Sequence, residues 1–574
     1  MTSLAVTERV TLPRTAGTPL SARAIAFVEA SHLRLCAVLL LFSLACFLPG
    51  LVSLQPMDRD EPRYAQASKQ MLETGDFVDI RFQTEARHKK PIGIYWMQSA
   101  VVAAAEAAGV PEARTTIALY RLPSLVGALA TVLLTYWTAL AFLGRRGSFL
   151  AAAFMGASIL LTVEARLGKT DAVLTACTIA VMGGLARAYL WRRALVALSN
   201  RSLAVFWLGM AVGILVKGPL VLLFAGLPAL VLSVRERSAR WLLPLRPMAG
   251  LLFTLAVVLP WFVAIMLKSG GAFFAASVGQ DMLGKVGTGQ ENHWGPPGYY
   301  LLAFFGTFWP GAILAAIAVP FAWANRRLDN VAFNLAWIVP TWAIFEAVST
   351  KLPHYVLPLY PAIAILTALA IQKGFVGPQR PLAKVSTLLI PFIPVALTAG
   401  LVAAGWHLDG VIPFTALPLL LASSVLSILA WRLFRQGRVV RASIFAIMAA
   451  PLLTGGVLGL AQGDLRSLKL SERLAETVRA MPCQNPAVAT LGYREPSLVF
   501  LVGTGLEMLE AGPEAAAFLK GQSCALVFVE RRFDEAFRAE AARLGLSPAL
   551  STRVSGFNIN GGRRLDLGAY RASP

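Results

Sequence analysis

The sequence predicts a polytopic α-helical membrane protein of about thirteen transmembrane helices, with a soluble α/β domain at its C-terminus. Three observations carry that expectation. The 574 residues are 56% hydrophobic and only 14% charged, with a mean hydropathy of +0.63. Long apolar runs recur, separated by short basic loops. From about Gly463 the composition becomes that of a small soluble domain.

Soluble domains carry about 25% charged residues, so much of this chain cannot face water. Many of its apolar runs approach the roughly 20 residues a helix needs to cross a bilayer. Lipid offers no partner to a backbone polar group, which makes helices the default. An outer-membrane barrel would alternate apolar and polar residues in short strands, and these runs do not. The net charge of +21 is uneven: the part from Gly463 onward contributes +2 and the membrane part +19. Those basic residues lie in loops between apolar spans, as the positive-inside rule expects, so no nucleic-acid partner is predicted.

The spans are expected at 33–54, 117–141, 148–165, 171–191, 203–216, 219–234, 248–267, 299–323, 331–348, 354–372, 386–405, 411–431 and 442–461. Arg9, Arg14, Arg23 and Arg34 place the N-terminal tail, 1–32, in the cytoplasm. The loops with Arg145–Arg146, Arg192–Arg193, Arg235–Arg240, Arg326–Arg327, Arg380–Lys384 and Arg432–Arg441 belong on the same side. Thirteen spans satisfy all of these assignments. The apolar stretch Ile92–Val110 would make a fourteenth and invert the Arg145–Arg146 loop. It is therefore expected to lie along the outer interface, where Tyr95 and Trp96 fit. Leu44-Ala45-Cys46 faintly resembles a lipoprotein cleavage site, but the apolar run continues past it, which favours an uncleaved signal anchor.

This parity divides the chain into a membrane domain, 33–462, with an outer loop at 55–116, and an external domain, 463–574. In the external domain Ser467–Met481 and Phe533–Leu546 read as helices, and Ala487–Leu491 and Ala525–Glu530 as strands. A hairpin is expected to turn at Asn560-Gly561-Gly562. Cys483 and Cys524 are the only cysteines outside the spans, and an oxidising compartment would allow them to pair.

The chemistry is concentrated outside. The first outer loop carries Asp58-Arg59-Asp60-Glu61-Pro62-Arg63-Tyr64, and later Arg87-His88-Lys89-Lys90-Pro91. Residues 60–74 read as a helix with Asp60 as cap, Pro62 in the first turn and Gly75 as stop. Asp60, Arg63 and Tyr64 then share one face. Asp60 either caps that helix and pairs with Arg63, or does chemistry. Lys90, extended before Pro91, either binds an anionic headgroup or snorkels to anchor the interfacial helix. Further outer features are Arg166–Asp171, Lys217-Gly218-Pro219, Gln290-Glu291-Asn292-His293 and Lys351-Leu352-Pro353-His354-Tyr355. His88, His293, His354 and His407 all fall outside. They permit a divalent metal with Asp60 or Glu291, but their spacing is no metal signature, and separate polar anchors fit better.

In this order the motifs resemble the bacterial, ArnT-like (aminoarabinose transferase) branch of the protein O-mannosyltransferase superfamily. The matching residues are Asp60-Glu61-Pro62-Arg63-Tyr64-Ala65, Lys90-Pro91-Ile92 with Tyr95-Trp96, and Arg121-Leu122-Pro123. Lys217-Gly218-Pro219, His293 with Tyr299-Tyr300, and Lys351-Leu352-Pro353-x-Tyr355 continue the match. Glu495-Pro496-Ser497-Leu498 and Gly556-Phe557-Asn558 extend it into the external domain. The resemblance implies a GT-C glycosyltransferase fold and a sugar donor linked through phosphate to a polyprenyl chain. It makes Asp60 the catalytic acidic residue and Lys90 its partner. Arg63, Tyr64, Lys89, Lys217, His293, Lys351 and Tyr355 become donor-phosphate or substrate contacts. Where aminoarabinose transferases show Glu-Lys-Pro, this chain has Lys89-Lys90-Pro91, which removes a carboxylate from any metal or amino-sugar contact there.

The expected function is inverting transfer of a sugar from undecaprenyl phosphate to lipid A, at the periplasmic face of a bacterial inner membrane. The sugar would be 4-amino-4-deoxy-L-arabinose. Transfer to protein hydroxyls or another envelope glycan is the alternative. A lipid flippase would place ionisable residues mid-span; here Glu346 lies near the outer end of its span.

Overall fold

The computed structural model describes residues 29–57, 59–193, 195–284 and 294–572. Each of the thirteen expected spans falls on a helix or on stacked helical segments. Among the described residues eight helices are long and apolar enough to cross a membrane, including Ile117–Ala139, Asp171–Trp191, Asn200–Lys217 and Pro247–Ser269. His32–Phe47, Leu220–Arg235 and Ala312–Ala324 are apolar but shorter. The stretch expected as one helix over 148–165 is two, Arg145–Ala157 and Ile159–Glu164. At the break the Ser158 hydroxyl donates to the Met155 carbonyl at 2.9 Å, offering the backbone an alternative to the helical bond.

The Asp171–Trp191 helix is the axis of the membrane domain, with its whole apolar stretch buried. Small residues let its neighbours close in: a Cβ on Gly127 would lie 2.8 Å from the Val173 nitrogen. The Pro247–Ser269 helix is the opposite case. Leu252 and Leu267 expose apolar surface outward, as side chains meeting lipid rather than protein do.

Above these helices lie the Asp60–Thr74 helix, a short hairpin of β1 (Arg81–Phe82) with β2 (Glu85–Ala86), and the Gly93–Ala107 helix. Gly75 stops the first of these in a left-handed conformation, φ 71°, as expected for a C-terminal glycine. Its start differs from expectation. Arg59 occupies the cap position, no side chain caps the helix, and Asp60 is its first helical residue. The Asp60 carboxylate is thereby left for other contacts.

The external domain is built on a five-stranded mixed sheet, ordered β4 (Glu507–Leu509), β3 (Ala487–Leu491), β5 (Ala525–Glu530), β7 (Arg563–Arg571), β6 (Ala549–Asn558). β3 runs parallel to β4 and β5; β7 is antiparallel to β5 and to β6. Both faces of β5 are buried. Leu526 and Phe528 meet the Leu470–Arg479 and Pro496–Val502 helices, while Val527 and Val529 meet Gly512–Lys520 and Asp534–Arg543. Continuous burial explains why β5 reads as an unbroken apolar run. Cys483 and Cys524 are bonded, with Cα atoms 6.4 Å apart at the entry to β3 and β5. Glu495 accepts from Asn558 Nδ2 at 2.9 Å and Asn560 Nδ2 at 2.8 Å, so two of the sequence motifs tie the hairpin to the segment after β3.

The external domain grips the outer helix directly. Gln66 donates to Thr504 Oγ1 at 2.7 Å, Lys69 to the Phe500 carbonyl at 3.3 Å, and Gln83 to the Leu506 carbonyl at 2.7 Å. A fixed platform for the Asp60 end of the helix results.

Candidate active site

Glu61 sets the position of everything around it. Its carboxylate accepts from Arg121 Nε at 2.7 Å and Nη2 at 2.9 Å, from the Met57 amide at 2.6 Å and from the Gly168 amide at 2.9 Å. Arg121 also donates to the carbonyls of Leu51, Leu54 and Gln55, each at 2.8 Å. Both side chains are fully buried. This pair pins the outer helix to the ends of three membrane helices, and its hydrogen-bonding capacity is filled.

Asp60, one residue earlier, is held loosely. Its nearest ion pair is Arg87 Nη2 at 3.5 Å, and its side chain keeps 44% exposure. Burial acts to raise the Asp60 carboxyl, but Arg87, Lys169, Arg63 and His354 outweigh it and hold the group below the ordinary carboxylate value. It is therefore an ionised carboxylate, open to solvent and ringed by cations. Arg87 stacks on the Tyr64 ring at 5.1 Å, and Tyr64 packs on Tyr95 at 5.3 Å. Tyr64, expected to touch substrate, is buried and props Arg87 instead.

Lys90 reaches the same region, where its ammonium is paired with Asp281. Asp281 belongs to the segment following the Pro247–Ser269 helix, beyond Gly270 and Gly271, both in left-handed conformations. Lys89 is exposed beside it. Behind Asp60 lies a second charged group. Lys217 pairs with Asp171, Lys169 lies 3.4 Å from Glu164, and His354 sits between the two carboxylates at 3.5 and 3.7 Å. Tyr355 packs on His354 and lies 5.7 Å beneath the Lys217 ammonium. Asp60, Arg63, Lys90, Lys217 and Tyr355 therefore converge.

Lys351 does not join them. It donates to the carbonyls of Phe345, Glu346 and Val348, which engages all three of its N–H groups at the end of the Asp329–Ala347 helix. Glu346 similarly accepts from the Gly298 and Leu301 amides at the start of the Tyr299–Thr307 helix. These are helix-end contacts, a reading the motif Lys-Leu-Pro-x-Tyr does not reveal. His293 and Glu291 lie outside the described residues.

Glu164, Asp171 and His354 are the metal-ligand types that come together among the described residues, their ligand atoms within 4.8 Å. They do not fit a divalent ion well. Two ammonium groups already balance the two carboxylates, and Lys217 occupies the Asp171 oxygen a metal would need. Asp60, the described member of the metal set suggested by sequence, faces guanidinium rather than other ligands.

Residues 33–271 match the family described as dolichyl-phosphate-mannose-protein mannosyltransferase. An undecaprenyl phosphate-alpha-4-amino-4-deoxy-L-arabinose arabinosyl transferase of Pseudomonas aeruginosa is 30% identical over 321 residues, 55% of this chain and 55% of that protein. A namesake from Pectobacterium carotovorum is 26% identical over 342 residues, 58% of each. The chain thus aligns with little more than half the length of these curated relatives. The fold likeness is wider. ArnT from Cupriavidus metallidurans, in a crystal structure with undecaprenyl phosphate, superposes with a TM-score of 0.67 at 19% identity, covering 96% of this chain and 98% of that one. In the apo state its TM-score is 0.68. The chain shares the fold of ArnT, the GT-C architecture.

Proposed function

We propose that this ArnT-like chain is an inverting membrane glycosyltransferase that takes a sugar from polyprenyl phosphate and delivers it to a phosphorylated envelope lipid. The sugar is 4-amino-4-deoxy-L-arabinose, the donor lipid undecaprenyl phosphate and the acceptor lipid A. The site faces the periplasm, and the membrane is the bacterial inner membrane. Support for the donor class comes from the named relatives and from the cations that surround Asp60. The outward orientation rests on the placement of the basic loops.

One observation carries the reading: an ionised, accessible carboxylate, Asp60, on a rigid helix beside Arg63, Arg87 and Lys169. Glycosyl transfer breaks the bond from the anomeric carbon to the phosphate oxygen, leaving negative charge on the phosphate and positive charge on the sugar. Lys90 and Arg63 stabilise the departing phosphate, while Asp60 orients the acceptor and faces the developing positive charge. Before the donor arrives, Asp281 is the anion on Lys90; the donor phosphate takes its place.

The charge state of Asp60 also favours one acceptor class. A general base for a hydroxyl works best with a pKa near the working pH. Asp60 is held the other way, below its ordinary value. A phosphate acceptor arrives ionised and needs no proton removed. Purified protein given radiolabelled polyprenyl-phosphate sugar should label lipid A and leave protein acceptors unlabelled. Labelling of protein with lipid A untouched would transfer the assignment to the O-mannosyl branch.

A further inference from the structure

A half-open hollow of about 390 Å³ lies where the last apolar helix passes the chain to the external domain. Gly463, Arg466, Lys469, Glu472, Arg473 and Glu476 line it. Residues 469, 472, 473 and 476 share one face because they recur at three- and four-residue spacing on the Leu470–Arg479 helix and its lead-in. The hollow is at the level of the membrane boundary. Gly463 belongs to the end of the Val439–Asp464 span, and Lys469 Nζ lies 3.4 Å from the carbonyl of Ser53, just beyond the first span.

Its cations are only lightly engaged by the protein. Arg466 is exposed, and among the described residues its guanidinium has no hydrogen-bond or ion-pair partner. Arg473 gives one N–H to the Ser555 carbonyl at 2.6 Å. Among the described residues Lys469 has only the long Ser53 contact and Glu472 at 3.7 Å. Guanidinium groups bind phosphate oxygens through paired N–H groups, and lysine adds a point charge. The two carboxylates are acceptors suited to sugar hydroxyls. The hollow also abuts the Glu61 clamp that fixes the helix carrying Asp60. Gln55 donates to the Leu468 carbonyl, and the Gln55 carbonyl accepts from Arg121 of the Glu61 clamp.

We propose that this hollow binds the headgroup of a phosphorylated glycolipid, with Arg466, Lys469 and Arg473 on phosphate and Glu472 and Glu476 on hydroxyls. It would hold the acceptor at the membrane surface while its reacting group reaches Asp60. The purpose of the site rests on the transferase reading; its binding chemistry does not.

The test uses the full chain in nanodiscs and reads lipid binding by native mass spectrometry, with transfer measured separately. Arg466→Gln with Lys469→Gln should weaken lipid A binding by roughly fivefold for each cation lost, leaving undecaprenyl phosphate binding unchanged. Arg531→Gln with Arg543→Gln, an equal charge loss at distant exposed positions, should bind as wild type. Dephosphorylated lipid A should bind wild type as weakly as the double variant binds intact lipid A. Equal binding of lipid A by wild type and double variant would overturn the subsite. Competition by inorganic phosphate at the affinity of the lipid would overturn the lipid as its ligand. Charge-dependent lipid binding without any transfer would uphold the subsite while refuting the transferase reading.

Discussion

Glu61 and Asp60 are consecutive carboxylates on one helical turn, and their surroundings are opposite. Glu61 is fully buried and accepts four hydrogen bonds, two from a guanidinium that is itself saturated by carbonyls. Asp60 is partly open, carries one ion pair at 3.5 Å, and sits among more positive charge than it can neutralise. A group whose capacity is filled holds structure together. A group with spare capacity in a cationic setting can meet a ligand. The difference predicts that neighbouring substitutions will fail in different ways.

The largest effect is expected from Glu61→Ala. It leaves Arg121 charged and buried without its partner, at a cost of about 3–5 kcal/mol of stability. Thermal unfolding in detergent would show a marked fall in Tm; an unchanged Tm would erase the contrast with Asp60. Asp60→Asn should do the reverse, lowering Tm far less than Glu61→Ala while cutting turnover roughly 100-fold or more, on the scale of losing one aligned electrostatic group.

A smaller effect sharpens the account of the donor side. Asp281→Asn removes the anion now paired with Lys90, so the donor phosphate no longer has to displace it. The donor KM should fall about fivefold, a change of roughly 1 kcal/mol, with the acceptor KM unchanged. A raised donor KM would instead make Asp281 part of the donor site.

The smallest effect is a limb that should be missing. Asp60 is held below its ordinary value of 3.8. Its carboxylate therefore contributes stability above that pH and loses it as the pH falls through the lower folded value. Asp60 should give no acid limb in turnover between about pH 5 and 8. A limb near pH 6 would belong to the second ionisation of a phosphate monoester acceptor, about 6, and should persist with conservative changes at other residues.

Local features of this chain were readable in advance. The Asp60–Thr74 helix, its Gly75 stop, the boundaries of β3 and β5 and the hairpin at Asn560 follow from periodicity and turn chemistry, which act within a few residues. The convergence of Asp60, Arg63 and Lys90 was legible only as a charged loop. The clamp on Glu61 was not legible, because Arg121 lies 60 residues away and its carbonyl partners carry no residue-type signal. Arg87 was read as part of a basic run, and Glu164 as the end of a span; the pairing of each depends on packing across separate helices. Lys351 shows the converse error. A lysine in an outward motif suggested substrate, whereas three backbone carbonyls within six residues take its donors.

The most direct test of the central claim compares wild type with Asp60→Asn, both purified in nanodiscs, for binding undecaprenyl phosphate and for transferring labelled aminoarabinose to lipid A. The account predicts equal binding of the polyprenyl phosphate, with transfer by the wild type and almost none by the variant. Transfer at the wild-type rate by Asp60→Asn would contradict it.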